Sequence, residues 1–199
     1  YIGSVIDITE RHESEERQTL MARELDHRAK NALAVVQAAL RLTPKADVMA
    51  YASAIEGRVA ALARAHSVLA EGNWHGATLR TVVEAELATF LATAVADPAP
   101  PRAVLEGPRV LLSPAAVQAL SMTLHELATN ATKYGALSRP EGRLRVSWSA
   151  APAAGRLLLC WEETGGPPLE APPERRGFGS RVIEGTMAGQ LGGSVEQDW

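Results

Sequence analysis

The chain has 199 residues, of which 46% are hydrophobic and 22% are charged, so it can bury a core and is not a disordered chain. Its 20 Lys and Arg against 23 Asp and Glu give a net charge of -3, which argues against a nucleic-acid binder with a general basic surface. The single cysteine, Cys160, excludes an internal disulfide and a cysteine-cluster zinc site. No apolar run reaches the ~20 residues that cross a bilayer, and the N-terminus does not resemble a signal peptide. We therefore expect a cytoplasmic protein.

The first residues predict a short strand that leads directly into a helix. Residues 1–8 are rich in β-branched side chains, and Thr9 offers an N-cap, with Glu10 and Glu13 in the first helical turn. A strand that runs straight into a long charged helix is typical of the end of a larger upstream domain.

Residues 10–71 predict two long helices joined near residues 42–47 as an αα-hairpin, because they contain one proline, Pro44, and one glycine, Gly57. The second helix carries a heptad seam of the kind that packs helix against helix. Its members are Val48, Ala52, Ile55, Val59, Leu62, His66 and Leu69. The seam favours a homodimer with a four-helix bundle, while a monomer that satisfies the seam within one chain stays open.

From residue 73 onward the pattern mixes helices and strands, which favours an α+β sandwich. Predicted helices cover residues 79–91, 114–134 and 178–191, the second of them capped by Ser113. Predicted strands are two short ones within 104–112, a hairpin of 143–149 with 156–162, and the beginning of one at 192–199. Residues 96–102 and 164–176 are predicted loops.

His27 is a candidate nucleophile on the first helix. It lies opposite an apolar stripe, so it points away from the predicted helix pair. A neutral imidazole can attack without a strong base, and Arg28 and Lys30 would attract an anionic phosphoryl group. A solvated helix face is the simpler explanation of such a residue. His66 lies on the seam and is interpreted as structural.

Three polar side chains share one face of the helix predicted to begin at Pro114. Glu126 and Asn130 are four residues apart, and Lys133 follows three residues later. An amide oxygen is a hard ligand that suits Mg²⁺, and an ammonium group offsets phosphate charge. This face is therefore a candidate Mg²⁺-phosphate site.

A second candidate group follows the apolar run at residues 157–161, which predicts a buried strand. Glu163 could accept a hydrogen bond from an adenine amino group, and the glycines after it would let the base approach the backbone. Gly177, Gly179 and Ser180 open a helix whose N-terminus could bind an anion. Each glycine motif alone is weak evidence, because most glycine turns are only turns.

Three motifs together are more specific. His27-Arg-x-Lys-Asn31, His125-Glu-Leu-Ala-Thr-Asn130 and Trp161-x-Glu163 resemble, in order and spacing, the HWE family of bacterial sensor histidine kinases, and the likeness extends from about residue 20 to residue 199. The resemblance implies a multi-domain fold: residues 1-9 end a PAS-type sensory domain, 10-72 form a dimerisation and phosphotransfer hairpin, and 73-199 form an ATP-binding α/β sandwich of the gyrase/Hsp90/MutL type. The chain would lack the last strand of that sandwich.

The resemblance also implies a function and residue roles. ATP would phosphorylate His27, the phosphoacceptor, and the phosphoryl group would pass to an aspartate on a response regulator. Glu126 would accept a proton or organise a water, and Asn130 would hold Mg²⁺. The nucleotide would be bound by Asn130, Lys133, Tyr134, Glu163, Gly165, Gly166, Gly177, Gly179 and Ser180. His125 and Trp161 are family markers whose roles the residues do not reveal.

One position departs from the broader histidine-kinase pattern. Most such kinases place an acid directly after the phosphoacceptor, where this chain has Arg28, so the base beside His27 stays open, with Asp26 as one option. Two rival functions also stay open. A non-kinase ATPase of the same superfamily would use Glu126 to activate water, and a dimeric signalling scaffold would not bind nucleotide.

Overall fold

The computed structural model describes residue 37, residue 40 and residues 47–91, 102–151, 155–168 and 178–198. The predictions for residues 1–36, including His27, and for Gly177 lie outside the described residues. The contacts divide the chain into two units, Tyr1–Leu42 and Thr43–Trp199, and every helix and strand below belongs to the second unit.

Helix α1 spans Val48–Glu71 and begins where the Asp47 carboxylate accepts a hydrogen bond from the Met49 backbone N–H at 2.9 Å. Its buried residues are Arg58, Ala61, Ala65 and Leu69. This stripe differs from the predicted seam: of the seam residues only Leu69 is buried, and Val48 is 78% exposed. The small alanines let α1 approach its neighbours closely, which is why they form the buried face.

Two further helices form the helical layer. Helix α2 spans Leu79–Leu91, and helix α3 spans Pro114–Lys133 with Ser113 as its N-cap, both close to the predicted bounds. Helix α3 packs against both α1 and α2, and most of its residues from Val117 to Glu126 are buried. It therefore lies at the centre of this layer and fixes the position of any group it carries.

Within the residues that the structure describes, five strands form two small sheets. Strands β1 (Ala77–Thr78) and β3 (Leu111–Leu112) pair antiparallel. Strands β2 (Ala103–Glu106), β4 (Arg143–Ala151) and β5 (Arg156–Thr164) form a sheet of order β2-β4-β5, with β2 parallel and β5 antiparallel to β4. The two strands predicted around Gly107 exist but do not pair with each other. The predicted hairpin at residues 143–162 is confirmed.

The three-stranded sheet packs one face against the helices. Leu144, Val146 and Trp148 of β4 are buried in the core, and Leu159 and Trp161 of β5 lie half-buried beside them. The prediction that residues 157–161 form a buried strand is wrong, because β5 is at the sheet edge and alternate side chains point away from the helices. Leu158 is accordingly 70% exposed.

Helix α4 spans Phe178–Gln190 and packs against α3. The prediction of a strand from Gly192 is wrong for residues 192–198, which are irregular. Gly192 takes a φ of 62°, and the Gly193 N–H donates to the Met187 carbonyl at 2.9 Å, so the chain turns back on the helix.

The unit is thus a mixed arrangement of four described helices and two small sheets. None of the helices within the described ranges combines the length and the apolar character that a membrane span requires.

Candidate active site

The polar residues of α3 change from buried to exposed along the helix. His125 and Glu126 are buried in its middle, whereas Asn130, Lys133 and Tyr134 are exposed at its C-terminal end. The helical spacing expected for Glu126, Asn130 and Lys133 is present. Glu126 is therefore held by the core, while the other side chains can meet a ligand from solvent.

The Glu126 carboxylate is bound by a guanidinium group from another helix. Arg58 of α1 donates from Nε to Oε1 at 2.6 Å and from Nη2 to Oε2 at 3.1 Å, and both side chains are under 10% exposed. This forked pairing is the strong form of a carboxylate–guanidinium contact. Sequence reasoning missed Arg58; its spacing with Ala61, Ala65 and Leu69 on one helical stripe is the signal that could have revealed a buried arginine.

The beginning of α4 approaches this group closely. A Cβ atom on Gly179 would lie 3.1 Å from Glu126 Oε2 and 3.4 Å from Asn130 Nδ2. A side chain at this position would crowd both polar groups, so glycine suits it. The structure thus brings together Glu126, Asn130 and Gly179, with the half-buried Ser180 next in the chain.

A second group lies where α3 ends. Glu163 Oε2 accepts a hydrogen bond from the Ala136 backbone N–H at 2.7 Å, and its Oε1 accepts from Trp161 Nε1 at 2.9 Å. A Cβ on Gly135 would collide with the Glu163 carboxylate, and one on Gly166 would lie 3.0 Å from the Ala136 nitrogen. Glu163 and Gly166 therefore meet the turn after α3, and Trp161 orients the glutamate.

Position 165 requires a glycine because of its backbone conformation. Its φ of 72° lies in the left-handed region, and a Cβ there would stand 3.2 Å from the Glu141 carbonyl oxygen. The turn after β5 can form because the side chain is absent.

His125 lies in a polar cluster between α1, α2 and α3. Arg64 Nη2 is 3.3 Å from His125 Nδ1 and 2.6 Å from Glu86 Oε2, so the ring nitrogen accepts and the carboxylate is paired. A Cβ on Gly57 would lie 2.8 Å from His125 Nε2, so the glycine of α1 makes room for the ring. The marker histidine therefore helps α3 pack against α1.

Burial shifts the pKa of both acid–base groups in this cluster. Burial above all, and then the positive charges of Arg64, Arg58 and Lys133, lower the pKa of His125 to about 4, so its imidazole is neutral near pH 7. Burial raises the pKa of Glu86, although the hydrogen bond and charge of Arg64 and a hydrogen bond from Ser121 act in the opposite direction.

The lowered pKa of His125 predicts acid sensitivity of the fold. Between about pH 6.5 and pH 4 the unfolded chain binds a proton at this ring that the folded chain does not, so the free energy of unfolding falls as the pH falls. Across this range we expect the free energy of unfolding of the wild type to fall by roughly 2–3 kcal/mol more than that of His125→Gln. The figure follows because each pH unit between the two pKa values contributes about 1.4 kcal/mol. Urea unfolding of both proteins at several pH values measures this difference.

Glu86 has the opposite effect on the free energy of unfolding, because its raised pKa means that the folded chain binds a proton more readily than the unfolded chain. It is present in both proteins, so its contribution cancels in the comparison. A difference in unfolding free energy that stays constant between pH 7 and pH 4 would contradict the prediction.

Comparison with known proteins identifies the family. Residues 24–109 match the family model described as HWE histidine kinase. The blue-light-activated histidine kinase of Rhizobium johnstonii is 38% identical over 206 residues, which cover 100% of this chain and 56% of that protein. The chain therefore carries the HWE histidine kinase domain at residues 24–109 and is similar to histidine kinases over its whole length. The family match contains His27, Arg58 and Arg64 and ends before α3 begins.

Two further relatives align with almost the whole chain. The blue-light-activated histidine kinases of Brucella anthropi and Brucella ovis are 37% and 36% identical over 194 residues, in each case 96% of this chain and 38% of the relative. The chain thus spans about half, or less, of the length of these relatives.

Proposed function

We propose that the chain is the kinase part of a sensor histidine kinase, which transfers the γ-phosphoryl group of ATP to His27 and then to an aspartate of a response regulator. The observation that carries the proposal is the meeting of Glu126, Asn130 and Gly179 in a chain that carries the HWE histidine kinase domain. A buried carboxylate, an exposed amide and a close backbone approach, side by side, are the groups that phosphoryl transfer needs for positioning.

The residues at the end of α3 fit a magnesium nucleotide. Asn130 presents an exposed amide and Lys133 an exposed ammonium group less than one helical turn later. Asn130 would hold Mg²⁺, which neutralises phosphate charge, and Lys133 would contact phosphate. Tyr134, 72% exposed, would lie against the base.

The second group would bind the adenine. Glu163 would accept a hydrogen bond from the exocyclic amino group, while Trp161 and the Ala136 N–H hold its carboxylate in place. Gly165, Gly166, Gly177 and Ser180 would let the backbone approach the nucleotide, as the family resemblance implies. Glutamate is one methylene longer than the aspartate of related kinases and so has one more rotatable bond. The hydrogen bond from the Trp161 indole restricts this additional rotation.

The reaction at His27 needs little covalent chemistry from the protein. A lone pair of the neutral imidazole attacks the γ-phosphorus, the bond from phosphorus to the ADP oxygen breaks, and the imidazole loses its ring proton to a base. Glu126 would be that base or would organise a water that is. The rest is orientation and charge neutralisation.

The wider organisation follows from the same proposal. Residues 1-9 would end a PAS-type sensory domain, residues 10-72 would form the phosphoacceptor hairpin of a cytoplasmic homodimer, and residues 73-199 would form the ATP-binding sandwich. In such a kinase the sensory domain changes the geometry of the hairpin, and a response regulator receives the phosphoryl group.

Radioactive labelling tests the function. The chain incubated with Mg²⁺ and ATP labelled at the γ-phosphate should acquire a label that acid removes and alkali preserves, because a phosphoramidate bond is acid-labile. Steady phosphate release without protein labelling would favour the ATPase instead. Undetectable binding of an ATP analogue would favour the scaffold.

The indole of Trp161 predicts a specificity effect. In Trp161→Phe the ring packing is kept but the donor to Glu163 is lost, so affinity for ATP should fall about 3–10-fold, the value of one typical intramolecular hydrogen bond. Affinity for an inosine nucleotide, which lacks the amino group, should change less. Calorimetric titration with both nucleotides measures the ratio; an equal loss for both would contradict the role of Trp161.

A further inference from the structure

Two arginines, the buried Arg58 and the half-buried Arg64, connect α1 to the layer that carries the candidate site. Arg58 binds Glu126 on α3, and Arg64 binds Glu86 on α2, each with a shortest contact of 2.6 Å. Arg58 and Glu126 are 68 residues apart in sequence. Ala61, Ala65 and Leu69 pack on the same stripe of α1, so the backbone that presents both guanidinium groups is held by the core.

The Arg58 contact determines which way the Glu126 carboxylate faces. Nε and Nη2 engage one oxygen each, and Oε2 is also the atom nearest to the Gly179 position, beside Asn130. A glutamate side chain free to rotate would sample several orientations, whereas a planar fork of donors selects one. Oε2 of Glu126 thus lies between the Arg58 guanidinium group and the N-terminal end of α4.

Stability alone is a poor explanation of this pair. Taking both charges out of water costs several kcal/mol each, and apolar residues of similar size would often serve the fold as well. The acid of this pair is Glu126, the buried carboxylate of the candidate site. The pair is therefore better explained by the effect of Arg58 on that carboxylate.

We propose that Arg58 is a positioning residue for the kinase reaction: from α1 it holds the Glu126 carboxylate in the orientation in which it serves phosphoryl transfer, an inference that rests on the function proposed above. In the organisation proposed above, α1 belongs to the phosphoacceptor hairpin, so the hairpin would supply part of the catalytic arrangement as well as the nucleophile. A displacement of α1 would move Glu126 relative to Asn130.

The test uses the full chain and separates the rate from binding. In Arg58→Gln the first-order rate of autophosphorylation at saturating ATP should fall about 10–100-fold, because small misplacements of a catalytic group cost factors of this size. The dissociation constant for a non-hydrolysable ATP analogue should stay within about threefold, because Asn130, Lys133 and Glu163 are untouched. Arg58→Lys keeps the charge without the fork and should recover part of the rate.

Two controls distinguish positioning from general damage. Arg64→Gln removes the other arginine of α1 that pairs with a buried carboxylate, and it should lower thermal stability comparably while the rate stays within about threefold. In a Glu126→Gln background, Arg58→Gln should slow the reaction less than about twofold further, because it acts through the carboxylate already lost.

Other outcomes overturn the proposal. A wild-type rate in Arg58→Gln, an equal loss of rate in Arg64→Gln, or multiplicative losses in the double variant each contradict it. If Arg58→Gln does not fold, the same comparisons made with Arg58→Lys decide the question. The proposed function fails differently, since the wild-type chain would then form no phosphohistidine at all.

Discussion

Replacing His27 by alanine is expected to abolish acid-labile labelling of the chain completely while leaving the binding of Mg²⁺-ATP within about twofold. The imidazole is the nucleophile in the proposed reaction, and the acid-labile label depends on a phosphorus–nitrogen bond to its ring. The proposed nucleotide residues all lie in the unit Thr43–Trp199, whereas residue 27 belongs to the other unit. Loss of the nucleophile therefore should not disturb the nucleotide site.

The measurement is label per chain after incubation with radioactive ATP, together with titration of a fluorescent ATP analogue. His75→Ala is the matched control, because His75 is an exposed histidine in the turn after α1 and should label like the wild type. Labelling that persists in His27→Ala would place the phosphoacceptor elsewhere.

Replacing Glu126 by glutamine is expected to slow autophosphorylation about 10²–10⁴-fold, the usual contribution of a general base. The amide keeps the size of the side chain and one acceptor for Arg58, so the helix packing at this point should survive. Nucleotide affinity should change little, because the side chains proposed to hold the nucleotide, those of Asn130, Lys133, Tyr134 and Glu163, are unchanged.

Single-turnover rates at saturating ATP measure this loss. Glu84→Gln is a suitable control, because Glu84 is an exposed glutamate on α2 that pairs only loosely with Arg80, at 3.6 Å. A reduction below about tenfold in Glu126→Gln would assign the proton to another acceptor.

Local signals in the sequence predicted the helices well. Ser113 and Pro114 mark the beginning of α3, and Gly135 follows just after the helix ends, so cap chemistry alone places the helix to within a residue. The spacing of Glu126 and Asn130 on that helix then puts them on one face. The candidate phosphate site could be predicted for this reason, since its parts lie within one regular element.

Contacts between distant elements could not be predicted in the same way. The pairing of Arg58 with Glu126 depends on how α1 crosses α3, and the hydrophobic period of α1 favoured a different stripe. The exposure of Leu158 depends on one face of the sheet being uncovered, which an apolar run does not reveal; Ser149, its partner on β4, is exposed on the same face. The bond from Trp161 to Glu163 depends on strand alternation, which the motif contains, and could have been found.

The turn after α1 has a mechanical consequence. Asn73 and Trp74 both take positive φ values, 48° and 61°, and the Trp74 N–H donates to the Leu69 carbonyl at 2.8 Å, while the same segment runs directly into β1 at Ala77. A turn closed in this way is a stiff joint, and α1 on one side of it is packed against α3 on the other. Helix α1 should therefore keep its position against α3 when a nucleotide binds to the residues proposed for it.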